Sequence, residues 1–322
     1  METPENREVP IPVNFGAGLH AAAGQPVDAS AYYQAATPKF EVKRHGTSGH
    51  GNDCMPVPQG GYSASNFAGA AYQYIGRWSQ RFVPAVLAAA EVTSGGRVLD
   101  VATGPGEAAL GALSVVGRSG CVVGADLSRA MLEAARARLS SETFQPVATD
   151  GQALAFQSGS FDAVLCQLGL MFFPDAVQGL AEFRRVLRPG RRAAVCVMST
   201  PDRVPMWGIL AETLSRYLPE QQDVLHLSFA LADATQLAGL FTAAGFRDVR
   251  VQRETREGII ESFDAYWSPI EAGTGQLPQA YLALLAARRQ AVREEVEARL
   301  AAFETGGRLV MSVAMLIGAG RA

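Results

Sequence analysis

The groups able to do chemistry in this chain are mostly carboxylates and glycines at the ends of apolar runs. Val98-Leu99-Asp100-Val101-Ala102-Thr103-Gly104-Pro105-Gly106-Glu107-Ala108-Ala109 passes from an apolar run through two glycines into a helix-forming stretch. Glycine lets bare backbone approach a ligand, and amides at a helix N-terminus favour anionic groups, so the segment predicts a nucleotide-binding loop. Gly104-x-Gly106-x-x-Ala109 also satisfies the dinucleotide fingerprint, a weak signal when it stands alone. Asp126 directly follows the apolar run Cys121 to Ala125, where a carboxylate can accept both hydroxyl protons of a ribose. Its competing reading is a helix cap, because Asp126-Leu127-Ser128 precedes a helical stretch. Asp100 occupies a place that is apolar in most dinucleotide loops, and Asp150, followed by Gly151-Gln152, closes the next short run.

Candidates for a general base are fewer. His226 is the one histidine beyond the first 60 residues, and Tyr74, Glu261 and Tyr266 are the other groups of suitable type. His226 lies between Leu225 and Leu227, which equally suits a satisfied, partly buried side chain. Cys54, Cys121, Cys166 and Cys196 form no C-x-x-C pair, which predicts free thiols. His45, His50 and Cys54 match no zinc spacing, so no metal site is expected.

These groups need a scaffold, and the chain can build one. Of its 322 residues 48% are hydrophobic and 18% charged, which excludes a disordered tail or a coiled coil. A net charge of -3 argues against a broad electrostatic grip on nucleic acid or anionic lipid. No apolar run reaches the roughly 20 residues of a membrane helix, and the polar, acidic start reads as no leader, so a cytoplasmic protein is expected. Residues 1–64, rich in Pro, Gly and Ser, read as an irregular arm that is a lid, a homodimer contact or disordered.

From Ser65 a helical pattern containing Tyr74 and Trp78 leads to Ser94-Gly95-Gly96. Apolar runs at 97–101, 121–125, 161–166 and 192–198 then alternate with helical stretches at 107–116, 129–139 and 175–187. Residues 146–150 add a short strand by position. This alternation predicts an α/β class with a parallel sheet. After Thr200 it stops: late strands at 249–253 and 308–317 are separated by a helical block, and segments of about 201–245 and 258–306 read as a lid within a domain spanning 65–322. The charged helix 288–299 reads as a solvated face with short-range ion pairs.

Taken in order, Asp100 to Gly106, Asp126, Asp150-Gly151 and the turn Leu187-Arg188-Pro189-Gly190 resemble the class I S-adenosylmethionine-dependent methyltransferases, in the small-molecule branch that includes quinone C-methyltransferases. The resemblance covers residues 70–200 well and the remainder by layout. Ala102 stands where many members have glycine, and Arg191 replaces the second glycine of the turn. What the resemblance implies is a Rossmann-like seven-stranded sheet with helices on both faces and S-adenosyl-L-methionine as cofactor. It implies that the loop of Asp100, Ala102, Gly104 and Gly106 meets the methionine part and that Asp126 meets the ribose. Leu127 and Met131 would cover the adenine, with ordinary core packing as their alternative. Asp150 with the Gly151-Gln152 backbone would meet the adenine's polar edge. Arg77 would pair with the cofactor carboxylate, and the Gln167 carbonyl would receive the amine.

The acceptor is expected beyond the fourth strand, in Gln167-Leu168-Gly169-Leu170-Met171-Phe172-Phe173-Pro174-Asp175. This stretch lacks an Asn/Asp-Pro-Pro-Tyr motif, and Met171, Phe172 and Phe173 suggest a hydrophobic or aromatic small-molecule acceptor. Trp207, Phe229, Phe263, Tyr266 and Trp267 line the pocket or form the core of the lid. Two other classes share some of these residues. A nicotinamide-dependent oxidoreductase would use Gly104, Gly106 and Asp126, but the chain lacks a Tyr-x-x-x-Lys pair. A non-catalytic cofactor-binding module would explain the absence of an evident base.

Overall fold

The computed structural model describes residues 77–322 except Thr274, and for Arg77 the backbone alone. The arm, Tyr74 and the Arg77 side chain lie outside the described residues. After a helical turn at Arg77–Ser79 and Gln80–Phe82, the chain runs through α1 (Val83–Ala89), β1 (Arg97–Val101), α2 (Glu107–Val116), β2 (Cys121–Asp126), α3 (Arg129–Leu139) and β3 (Phe144–Ala148). It continues through β4 (Phe161–Gln167), α4 (Ala176–Val186), β5 (Leu187–Met198), α5 (Pro205–Tyr217), α6 (Ala234–Ala243) and β6 (Arg247–Ile260). Three helices, α7 (Phe263–Glu271), α8 (Gln276–Leu282) and α9 (Ala286–Leu300), then precede β7 (Glu304–Thr305) and β8 (Arg308–Arg321).

The sheet order is β3-β2-β1-β4-β5-β8-β6, with the two-residue β7 paired to β8 off this path. The expected seven strands therefore form the sheet proper, and β7 makes an eighth. β1 to β5 pair in parallel, and β8 runs antiparallel to both β5 and β6. The central strands are near-continuous apolar runs because helices cover both faces: Ala193 to Met198 are all buried, as are Ala163 to Cys166. Ser128, Asp175, Asp233 and Ser262 cap α3, α4, α6 and α7 through side-chain oxygens. No described helix is long and apolar enough to cross a membrane.

Three features place the site. First, β1 connects to β2 on one side while β4 lies on its other side, so the carboxyl ends of β1 and β4 flank the switch point where open α/β sheets bind ligands. Second, β6 and β8 are longer than the expected strands. Thr255 to Ile260 pair with Leu309 to Ala314 beyond Met198–Met315, the last pairing with β5, and form a ribbon over that edge. Third, α5 and α7 to α9 gather beside it: the Tyr266 hydroxyl donates to the Met206 carbonyl at 2.7 Å, and Val292, Val296 and Leu300 of α9 are buried. The ion pairs of α9 cross to other helices, Arg293 to Asp264 at 2.8 Å and Arg299 to Glu212, whereas the charge pattern suggests short-range pairs along the helix. Within 201–245, α6 covers the sheet instead of the edge: its Phe241 and Leu237 pack against Gly318 of β8.

Candidate functional site

Asp100, next to last in β1, has only 1% of its surface exposed. Its Oδ2 accepts the Thr103 hydroxyl at 2.7 Å, and its Oδ1 is buried with no partner among the described residues. Burial pushes this carboxyl up to about 7, opposed by the hydrogen bond from Thr103 and a weaker pull from the Ala109 N–H, while the nearby acids Glu107 and Asp126 push it the same way as burial. The sign for stability follows. The folded cofactor-free protein holds a proton that the unfolded chain releases above pH 4, so this site's contribution is complete below about pH 4 and is lost as pH rises through 7. The loss amounts to up to about 4 kcal/mol, roughly 1.4 kcal/mol per pH unit. Thermal melts from pH 4 to 8 are expected to show this fall for the native chain and a flatter profile for Asp100→Asn; parallel profiles would refute it.

Beyond Asp100 the loop turns on left-handed residues: Ala102 at φ 55°, Gly104 at 53° and Gly106 at 91°. Ala102 holds a conformation that suits glycine, at a cost of about 1 kcal/mol. A Cβ built on Gly104 would meet nothing within 4 Å, so this turn opens onto free space, whereas one on Gly106 would strike Leu139 at 2.9 Å. Asp126 fixes the loop from β2: its Oδ2 accepts the Gly104 N–H at 2.9 Å and its Oδ1 the Ser128 N–H at 2.8 Å. Ser128 is the cap of α3, so the cap reading of Asp126 does not describe its position. Burial raises the Asp126 carboxyl, opposed by these backbone donors. Arg138, at the end of α3, donates to the Pro105 carbonyl at 3.0 Å and pairs with Glu107 at 2.9 Å, bracing the loop from outside. Leu127 is 39% exposed and Met131 is half-buried beside the loop's α3 wall.

At the end of β4, Gln167 donates from Nε2 to the Ser79 carbonyl at 3.0 Å, while its Oε1 is buried without a partner. Leu168 is left-handed at φ 56°, and Gly169 abuts the first loop: a Cβ there would lie 2.4 Å from the Ala102 Cβ and 3.0 Å from Cys166 Sγ. The stretch expected to wall the acceptor divides. Phe173 turns under the third loop, where it would meet a Cβ on Gly151 at 2.4 Å, and it packs edge-on against Phe183 at 6.0 Å. Leu170 to Phe172 instead pack against the turn Leu227–Phe229. Asp150 Oδ1 accepts the Gln152 N–H at 2.9 Å, and the Gln152 side chain accepts the Asp175 N–H at 2.7 Å, which joins the third loop to the start of α4.

His226 is half-buried, with Nε2 3.2 Å from the Ser215 hydroxyl and its ring 6.1 Å from that of Phe229. Tyr266 is tied to Met206, and burial raises its phenol beyond reach as a base. Glu261 is exposed and pairs with Arg308 at 2.8 Å. Trp207 packs on Trp78 at 5.2 Å, and Trp267 stacks on Phe263 at 5.5 Å, so these rings form aromatic layers around α5 and α7. Cys121, Cys166 and Cys196 are free, and burial raises the last two thiols. Among the described residues no His, Cys, Asp and Glu cluster could hold a metal. Arg191 reaches Asp162, at the amino end of β4, at 3.5 Å, well away from these loops. Sequence reasoning missed Thr103, Arg138 and the Gln167 side chain; only Thr103, a hydroxyl three residues after Asp100, had a local signal.

The arrangement fits a ligand that carries an ammonium, a ribose and a planar base. Two buried oxygens lacking donors, Asp100 Oδ1 and Gln167 Oε1, stand at neighbouring strand ends. An open glycine turn lies beside them, followed by carboxylates at the ends of β2 and β3.

Comparison with known proteins agrees. Demethylmenaquinone methyltransferase of Staphylococcus epidermidis is 31% identical over 183 residues, covering 53% of this chain and 76% of that protein. The enzyme of that name from Mycolicibacterium vanbaalenii is 34% identical over 183 residues, covering 53% and 77%. Among solved structures, Haemonchus contortus phosphoethanolamine N-methyltransferase 2 in complex with S-adenosyl-L-methionine superposes with a TM-score of 0.50 at 18% identity, covering 83% of this chain and 61% of that one, a likeness of fold. The sequence profile of the ubiE/COQ5 methyltransferase family matches residues 73–266, a span that takes in every loop just described. With Asp100, Asp126 and Asp150 set around the switch point of the sheet, the chain belongs to the ubiE/COQ5 methyltransferase family and is an S-adenosylmethionine-dependent methyltransferase acting on a small molecule.

Proposed function

We propose that the chain methylates a quinone-type ring, and that its own residues act mainly by alignment and exclusion of water. The observation that carries the cofactor assignment is the pair of donor-less buried oxygens, Asp100 Oδ1 and Gln167 Oε1, which suits a cationic amine. When bound, the cofactor supplies an electrophilic methyl group on a sulfonium. Asp100 and Gln167 hold the amine, and Arg77 takes the carboxylate. Gly104, Gly106 and Ala102 admit the methionine chain. Asp126 accepts the ribose hydroxyls, Leu127 and Met131 cover the adenine, and Asp150 with the Gly151-Gln152 backbone meets its polar edge. The exposure of Leu127 supports an adenine contact over core packing.

For the acceptor, the support is the demethylmenaquinone methyltransferase relatives together with the apolar packing of Leu170 to Phe172 on the lid. Transfer from a sulfonium is an in-line displacement that gains from orientation and a dry site, and a base is needed only where the acceptor must lose a proton. If one acts, His226 is the described candidate and Tyr74 the other. The arm, 1–64, and a methyltransferase domain, 65–322, complete this reading.

The test is incubation with S-adenosylmethionine and a panel containing a reduced naphthoquinone with a short isoprenoid tail, phenols and amines, followed by mass spectrometry. Addition of one methyl to the quinol ring carbon is expected. Transfer only to amines would sink the acceptor assignment. Tight cofactor binding without transfer to any acceptor would favour the non-catalytic module, and binding of NAD in its place the oxidoreductase.

A further inference from the structure

The Gln167 side chain faces two ways. The Ser79 carbonyl can only accept, so the amide must turn Nε2 toward it, at 3.0 Å, and Oε1 away, where that oxygen is buried and finds no donor. Asp100 pairs in register with Leu165, and Gln167 lies two residues beyond Leu165 on β4, so Asp100 and Gln167 share one face of the sheet. Asp100 Oδ1 is the other oxygen left without a donor there.

Ser79 belongs to the turn Arg77–Phe82, which touches several parts of the lid at once. Trp78 packs against Trp207 of α5 at 5.2 Å, Arg81 donates to the Glu257 carbonyl of the β6–β8 ribbon, and Arg256 of that ribbon lies over the Phe82 ring at 5.8 Å. Gln167 is thus the group through which the carboxyl end of β4 holds the turn that meets both α5 and the ribbon.

We infer that Gln167 is a positioning residue that couples cofactor occupancy to the hold on the Arg77–Phe82 turn: Oε1 receives the cofactor's ammonium while Nε2 holds the Ser79 carbonyl. The inference rests on the cofactor assignment proposed above. An ammonium on Oε1 polarises the amide, which strengthens the bond from Nε2 to Ser79. The bond to Ser79 already stands at 3.0 Å, so filling the site strengthens the hold on the turn and, through it, on its contacts to α5 and the ribbon.

The test uses the full chain with S-adenosylhomocysteine, which keeps the amine but cannot react. Calorimetry gives affinity, and hydrogen exchange read by mass spectrometry gives protection of residues 77–83. In the native chain the ligand is expected to slow exchange in this peptide. Gln167→Glu, ionised at alkaline pH, keeps an acceptor for the ammonium but loses the donor to Ser79. It should bind more weakly than the native chain, because the coupling to the turn is lost with the donor, and show no ligand-induced protection of residues 77–83. Gln167→Leu loses both groups and should bind about 10- to 100-fold more weakly, the fold-change expected for an unmatched polar contact. Protection that persists in the ionised Glu variant, or native affinity in the Leu variant, overturns the inference. Failure of the native chain to bind S-adenosylhomocysteine overturns the cofactor assignment itself, a result distinct from either. Far-ultraviolet circular dichroism and melting confirm that each variant is folded.

Discussion

Asp126→Ala is expected to weaken binding of S-adenosylmethionine and its demethylated product by about 100- to 1,000-fold, the largest loss of any single side chain in the site. The carboxylate does two things. Its Oδ2 holds the Gly104 N–H at 2.9 Å and its Oδ1 the Ser128 N–H at 2.8 Å, so the variant leaves two amides without their acceptor. Each such loss costs on the order of 1–3 kcal/mol where water cannot fully replace the partner. The proposed ribose contact disappears with them. Asp126→Asn keeps one acceptor oxygen and should fall between the two. Calorimetry with S-adenosylhomocysteine measures this directly, and affinity of the Ala variant within threefold of the native chain would show that Asp126 is only a turn residue.

Gly169→Ala should produce the largest loss of stability, about 2–4 kcal/mol, as expected for a side chain forced into packed surroundings. Its Cβ would lie 2.4 Å from the Ala102 Cβ and 3.0 Å from Cys166 Sγ. Neither can swing aside, because the first is bonded directly to a backbone atom and the second belongs to a fully buried strand residue. The clash is with a particular methyl group, so Ala102→Gly made in the same chain should recover most of the loss. That change also relieves the left-handed alanine at φ 55°, and alone it is expected to stabilise the protein by about 1 kcal/mol. Denaturant melts of the two single variants and the double variant form a cycle whose coupling tests the contact; additive losses would mean that the loops of β1 and β4 do not touch.

Much of the site could be read from local pattern. The glycine turn, Asp126 and Asp150 are each marked by an apolar run that stops at a carboxylate or a glycine, a signal contained within a few residues. Strand extents were less legible. Arg247–Ile260 is an edge strand whose stretch from Gln252 to Glu257 is polar throughout, so only Val249 to Arg253 near its start carries a strand pattern. Phe173 illustrates a different limit. Next to Met171 and Phe172 it reads as acceptor wall, yet Gly151 and Gly179 leave the space that draws its ring beneath the third loop.

Composition, periodicity and motif order, taken from the chain alone, determined an α/β sheet with its ligand loops at the strand ends and a methyltransferase-like cofactor site, because each depends on neighbours along the chain. Only the tertiary structure decided that Asp100 and Gln167 share a face, that Ala102 meets Gly169, that Arg138 clamps the glycine loop, and that Ser79 hangs from the end of β4. The physical reason is the crossover. In a parallel sheet, adjacent strands are joined through helices and far apart in sequence, so the contacts that complete the site are set by the order in which β1, β4 and their covering helices pack.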